Sequence, residues 1–177
     1  MNNEQRSSDE FARARALTRL AAHLSDDQSA AALRVARAMH DAGARARALG
    51  GLSGALPADQ RAAVLAEALA VARGIDSPWL RVRAYVPLTA KLSDDAKSTV
   101  LREALEAALA IESEWLRGRA LMLLAGRLPP ELLPPAITAA QAIGVEYVRA
   151  ITLGTLAAHL SDDLKAQVLK STPTVVD

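Results

Sequence analysis

Apolar positions recur along this chain in a fixed order. With a closing leucine taken as position zero, five copies of one pattern end at Leu24, Leu56, Leu92, Leu128 and Leu160, spaced 32, 36, 36 and 32 residues apart. Four residues earlier stands Leu20, Leu52, Leu88, Leu124 or Leu156, and seven earlier stands Leu17, Leu49, Tyr85, Leu121 or Leu153. Eleven earlier is an arginine in every copy: Arg13, Arg45, Arg81, Arg117 and Arg149. Offsets of four, three and four share one face of an α-helix. Each copy is therefore predicted to open with a helix, helix A, whose leucine stripe begins at an arginine. Self-similarity at this period indicates an array of supersecondary units.

A short polar turn follows each stripe. Three copies use Leu-Ser-Asp-Asp, at Leu24, Leu92 and Leu160. Ser25, Ser93 and Ser161 suit an N-cap, where a hydroxyl accepts from a free backbone N–H, and the aspartates suit the positive end of a helix dipole. Pro57 and Pro129 take the same place in the other two copies, where a first helical turn tolerates proline. A second helix, helix B, is expected next, as in Ala62–Arg73 and Val100–Ile111. Leu24 to Met39 is 15 residues and Leu56 to Ile75 is 19, so the long copies hold about one more helical turn.

The copies run from Asp9 to His40, Asp41 to Ile75, Asp76 to Ile111, Glu112 to Ile143, and from Gly144 into a shortened helix B at Asp162–Lys170. Residues 1–8 read as a disordered lead, 9–170 as a single helical-repeat domain and 171–177 as a non-helical tail. A kink or a helix start is expected at Pro87 and at Pro134-Pro135. Small residues such as Ala16, Ala48, Gly54, Ala120 and Gly126 lie on several sides of helix A, as expected of a helix gripped on both flanks. The predicted fold class is all-α, a right-handed α-solenoid of about five helical hairpins. Arg19 in the first copy and Lys165, Gln167 and Lys170 in the last give polar outer faces, so the array reads as complete.

Composition adds limits. Of 177 residues, 51% are hydrophobic but only 3% aromatic, so the core is one of Ala and Leu, residues of high helix propensity. Period-two β-branched runs are missing, and no sheet is expected. A net charge of +1 supplies no global attraction to nucleic acid or anionic membrane. With no cysteine, disulfides, zinc–thiolate sites and thiol catalysis are excluded. Residues 1–8 lack the apolar stretch of a signal peptide, and no apolar run approaches the ~18 residues of a membrane span. A soluble cytoplasmic protein is expected.

The span Glu103 to Leu128 combines Glu-Ala-Leu-x-x-Ala, an isoleucine, an acidic Trp-Leu-Arg segment, and then Arg-Ala-Leu-x-x-Leu-Ala-x-x-Leu. This resembles the degenerate helical repeats behind the nucleotide-binding modules of bacterial STAND NTPases, and more broadly is similar to tetratricopeptide and HEAT-like arrays. The resemblance covers about Asp9–Lys170. The chain contains no Gly-x-x-x-x-Gly-Lys-Ser/Thr loop, so the ATPase activity does not carry over. What the resemblance implies is a recognition or scaffold array in bacterial signalling or defence.

Two arginine columns are candidate chemistry. In the first, a guanidinium per copy could track phosphates or an acidic peptide. Local pairing is the competing account and the favoured one: Asp9 and Asp41 precede Arg13 and Arg45 by four, while Glu114 and Glu146 precede Arg117 and Arg149 by three. The second column, Arg15, Arg47, Arg83 and Arg119, stands two residues on and is broken by Ile151; here the two accounts are balanced. Thirteen before zero stand Phe11, Gly43, Trp79, Trp115 and Tyr147. Each aromatic of the first four copies precedes a second-column arginine by four, which permits cation–π stacking. These rings either plug the seams between copies, the favoured account, or form with Arg15, Arg47, Arg83 and Arg119 a binding strip.

Other side chains offer less. His23 and His159 share a position at opposite ends of the array, and His40 ends a helix B. Glu67 and Glu103 share a helix B position that reads as a solvated face. No catalytic residue, metal site or cofactor is read. The expected function is a non-enzymatic module for a protein or peptide partner, which includes a second copy of the chain. The alternative is nucleic-acid binding through the arginine columns, disfavoured by near-neutral charge and local acids.

Overall fold

A computed structural model describes residues 3–160 together with Lys165. Among the described residues all regular structure is helical, with no strand. The α-helices are α1 (Asn3–Leu20), α2 (Asp26–Arg37), α3 (Ala42–Ser53), α4 (Ala58–Arg73), α5 (Pro78–Thr89), α6 (Asp94–Leu109), α7 (Glu114–Ala125), α8 (Leu133–Gln141) and α9 (Glu146–Ala157). Odd-numbered helices fall on the helix A stripes and even-numbered ones on helix B. Single 3-10 turns occupy Ala21–His23 and Pro130–Leu132.

Helix lengths follow the spacing of the copies. In the 36-residue copies α4 and α6 each have 16 residues, whereas α2 has 12 and α8 has 9 after its 3-10 turn. The extra turn thus sits in helix B. Ser25 forms a reciprocal capping box with Gln28. Asp41, Ser77 and Ser113 accept from the backbone N–H three residues on and start α3, α5 and α7. Pro134 and Pro135 lie in the first turn of α8, while Pro87 lies inside α5, which continues to Thr89.

Of the residues 1–8 expected as a lead, 3–8 form the first part of α1, which begins at Asn3, and 1–2 lie outside the described residues. Polar residues there have partners that composition does not reveal. Gln5 donates to Asp9 one turn on (3.1 Å), and the Ser7 hydroxyl donates to Asp41 (2.6 Å) on the next helix A. The shortened helix B at 162–170, apart from Lys165, and the tail at 171–177 lie outside the described residues. Where the sequence reads as one domain over 9–170, contacts cluster into two compact units divided between Val100 and Leu101, inside α6.

In the first unit α3 lies between α1 and α5 and also packs on α2 and α4. Leu49, Leu52 and Leu56 are buried with Leu33 and Ala36 of α2, Leu65 and Leu69 of α4, and Tyr85 and Leu88 of α5. Gly50 and Gly51 permit this triple packing. A Cβ at Gly50 would collide with the Leu88 side chain, and one at Gly51 with Thr18 on α1. Within the stripe Leu20 is 52% exposed, because α1 turns Glu10 and Ala14 inward and the 3-10 turn after it buries Ala21.

In the second unit α7 packs against α9, and α8 touches both. Leu121, Leu124, Ala136, Ile137, Ile143 and Leu156 are buried there. Gly118 is the close-approach point, since a Cβ would stand 2.5 Å from Val148 Cγ1 and 2.9 Å from Thr152 Oγ1. Thr152 is fully buried and donates to the Val148 carbonyl at 2.7 Å, so its hydroxyl is satisfied within α9.

Candidate interaction surface

The first arginine column is consumed by the fold. Each carbonyl at a helix C-terminus lacks its intrahelical donor, and the arginine six residues on supplies one. Arg45 Nη1 donates to Met39 O (2.9 Å), Arg81 Nε to Ile75 O (2.9 Å), Arg117 Nη1 to Ile111 O (2.8 Å) and Arg149 Nη1 to Ile143 O (2.8 Å). All four acceptors lie two residues beyond the end of a helix B and are buried. These four arginines are structural mainly through backbone carbonyls. Among the described residues the expected carboxylate pairing is seen for Arg117, with Glu114 at 3.9 Å. Arg13, with no helix before it among the described residues, is exposed.

Two glutamates, Glu10, which the sequence does not single out, and Glu114, read there only as a partner of Arg117, bind consecutive copies together. Glu10 on α1 accepts from the backbone N–H of His40 (3.1 Å) and Asp41 (2.6 Å). Glu114 on α7 accepts from those of Gly144 (3.0 Å) and Val145 (3.1 Å). Both glutamates stand fourteen residues before the closing leucine, and both belong to copies followed by a 32-residue spacing. The 36-residue spacings follow copies with Ala42 and Pro78 at that place. Burial alone would raise the Glu10 carboxyl, but the amides of Asp41 and His40, with the His40 ring, hold it below the ordinary carboxylate value. The amides of Gly144 and Val145 lower Glu114 likewise, against some burial and with help from Arg117 and Arg149. A shared position joined to a shared spacing was the signal available in the sequence.

The eight residues of the expected strip divide between the two units. In the first, Phe11, Arg15, Arg47, Trp79 and Arg83 lie at equivalent positions of the neighbouring helices α1, α3 and α5. Phe11 and Trp79 are half-buried; the three arginines are exposed. The Arg83 guanidinium lies 5.8 Å from the Trp79 ring centroid, within cation–π range. Between the aromatic positions of α1 and α5 stands Gly43, with the Phe11 ring close against it, and a groove of about 360 Å³ lies there. Phe11, Ile75 and Leu80 give it apolar walls, and Arg47, Arg83 and Asp41 its charges. Arg15 and Trp79 lie outside its lining.

In the second unit, Trp115, Arg119 and Tyr147 lie on the adjacent helices α7 and α9. Arg119 stacks 4.7 Å from the Trp115 ring centroid. Trp115 is 53% exposed and Tyr147 is 74% exposed. These two rings therefore do not plug a seam, contrary to the favoured expectation. Leu123, Val145 and Ile151 are also exposed nearby on the same helices or their lead-in.

Glu67 is not merely solvated. It takes a bidentate bond from Arg37, with Nη2 at 2.8 Å and Nε at 3.0 Å, tying α4 to α2. His40 sits at the Glu10 clamp (Nδ1 to Oε1, 3.4 Å), and His159 covers Gly126. Among the described residues no group of three His, Asp or Glu is placed to hold a metal ion, and no helix is long and apolar enough to cross a membrane. Compared with known proteins, the chain matches no family model, no curated protein and no solved structure.

Proposed function

We propose that the chain is a non-enzymatic helical-repeat scaffold, a right-handed α-solenoid that binds a protein or peptide partner through its helix A face. The observation that carries this reading is the exposure of Trp115 and Tyr147, at 53% and 74%, on neighbouring helices. Large rings are expensive to leave in water, and Trp, Tyr and Arg are the residues that dominate binding hot spots. A second copy of the chain is one form the partner can take. The resemblance to STAND-associated arrays supports a place in bacterial signalling or defence, in the cytoplasm. The test replaces Tyr147 with a photo-crosslinking phenylalanine derivative. A discrete crosslinked species, lost when Trp115→Ala is added, supports the reading. Failure of Tyr147 to crosslink any protein, its own chain included, removes it.

One observation favours nucleic acid as a second reading. Arg15, Arg47 and Arg83 are exposed at equivalent positions on three neighbouring helices. Affinity for a single-stranded oligonucleotide that falls steeply with salt would support it.

A further inference from the structure

The two arginine columns differ in what they have to bind. Arg45, Arg81, Arg117 and Arg149 are committed to backbone carbonyls, and Arg37 is committed to Glu67. Among the described residues Arg47 and Arg83 have no such acceptor. Among the described residues no carboxylate lies within ion-pair distance of either; Arg83 has the Trp79 ring alone. Both guanidinia line the groove over Gly43. The single acid in that lining, Asp41, is already engaged by the Ser7 hydroxyl and the Ala44 amide.

The rest of the groove is apolar. Phe11 on α1, Ile75 before α5 and Leu80 on α5 form its walls, and Leu80 is 42% exposed. Gly43 lets the Phe11 ring lie close against α3: a Cβ there would stand 3.0 Å from Phe11 Cζ and 3.2 Å from Asp41 Oδ1, so the ring is seated on the glycine and forms one side of the groove. A cavity of about 360 Å³ accepts a large side chain with its flanking backbone, and two guanidinia at its edge favour an anion beside that side chain.

We propose that this groove receives a linear acidic peptide segment of a protein partner, in which an Asp or Glu stands next to a large aliphatic or aromatic residue. The apolar side chain fills the groove against Phe11 and Leu80, and the carboxylate pairs with Arg47 and Arg83. This rests on the scaffold reading above and assigns it a specific site and ligand chemistry.

The test uses the full chain and an array of end-blocked heptapeptides. Each holds Asp or Glu beside Leu, Ile, Phe or Trp, and each has a matched peptide with Asn or Gln in place of the acid. The acidic set is expected to bind at least about tenfold more tightly than its amide twins, since a charge-assisted pair is involved. Arg47→Glu and Arg83→Glu should each cost about tenfold or more. Gly43→Leu should abolish binding by displacing the Phe11 ring that walls the groove, with circular dichroism confirming a folded chain. Equal binding of acidic and amide peptides, or binding indifferent to both arginine reversals, overturns the proposal. So does oligonucleotide binding lost on Arg47→Glu together with no peptide binding. If Tyr147 captures a protein while no acidic peptide binds, the groove assignment falls and the scaffold reading stands; if neither occurs, both fall.

Discussion

The Glu10 carboxylate accepts the backbone amide of Asp41 at 2.6 Å, from a residue thirty-one positions further along the chain. It does so at the N-terminus of α3, where free amides and the helix dipole both favour an anion. Glu114 repeats the arrangement with Gly144 and Val145 at the start of α9. At α9 the clamp has a particular use, because the N-cap there is Val145, which has no side-chain oxygen to offer.

Acid should weaken these clamps. Both carboxyls titrate below their ordinary value of 4.5 in the folded chain. A group whose folded pKa is depressed adds stability above its unfolded pKa, and that stability is lost as pH falls through the folded value. The double variant Glu10→Gln, Glu114→Gln should melt below the wild type at pH 7. The gap should shrink as pH drops below 4.5. Thermal unfolding followed at pH 7 and at pH 3 measures both. A gap of the same size at the two pH values would show that the charge on these groups is not what the folded state uses.

The two arginine columns should separate in stability. Arg45 and Arg47 stand two residues apart on α3, yet only Arg45 fills a helix-end carbonyl, that of Met39. Arg45→Ala leaves that acceptor without its donor and should cost about 1 kcal/mol. Arg47→Ala removes an exposed side chain and should change stability by less than about 0.5 kcal/mol. Urea titration of the two variants decides the matter. Equal losses would mean that Arg47 has a structural partner in solution.

The leucine stripe, the Ser25 cap and the extra turn of the long copies are legible in sequence because each depends on neighbours within about one or two turns, whereas α4 and α6 begin at Ala58 and Asp94, ahead of the expected Ala62 and Val100. Spacing alone puts Leu49, Leu52 and Leu56 in the core, and Pro134 marks the start of α8. The partners of the charged residues are not legible in this way. Arg149 answers to a carbonyl at Ile143, Glu114 to amides thirty residues on, and Glu67 to Arg37 on another helix. Helical spacing offers Glu146 and Glu114 as local partners for the arginines, and it is silent on backbone acceptors. The same limit explains Leu20. Its spacing matches that of Leu52 and Leu124, but α1 packs chiefly on α3 and turns a different face inward. As for the candidate strip, sequence places Phe11, Arg47 and Arg83 in register, but the groove also needs Ile75 and Leu80 and the seating of the Phe11 ring against Gly43, contacts between helices that spacing does not show.

Two glycines, each inside a helix of the second unit, should respond oppositely to alanine. A Cβ at Gly118 would press on Val148 and Thr152, both buried. Gly118→Ala is expected to destabilise by about 1–3 kcal/mol through overpacking. Gly154 on α9 has nothing within 4 Å of the corresponding point. Gly154→Ala should stabilise by about 0.5–1 kcal/mol, since alanine gains helix propensity there without a clash. Denaturant midpoints for the two variants give the signs directly. A stabilising Gly118→Ala would mean that α7 and α9 lie further apart in solution than their glycine contact requires.

Tryptophan emission offers the most direct view of the proposed surface. The chain has two tryptophans, so Trp79→Phe leaves Trp115 as the sole reporter, and Trp115→Phe leaves Trp79. Trp115 is 53% exposed with the Arg119 guanidinium over its ring. Its emission should be red-shifted and readily quenched by acrylamide. Trp79 is only partly exposed, and it should emit further to the blue and resist quenching more. Arg119→Ala should leave the Trp115 emission red and raise its quenching constant, because the guanidinium shields one face of the ring. Ligation of the helix A face by a protein partner should then shift Trp115 to the blue. A Trp115 already blue and unquenchable in the free chain, at concentrations low enough to exclude self-association, would place that ring in a seam and leave the scaffold reading without its principal support.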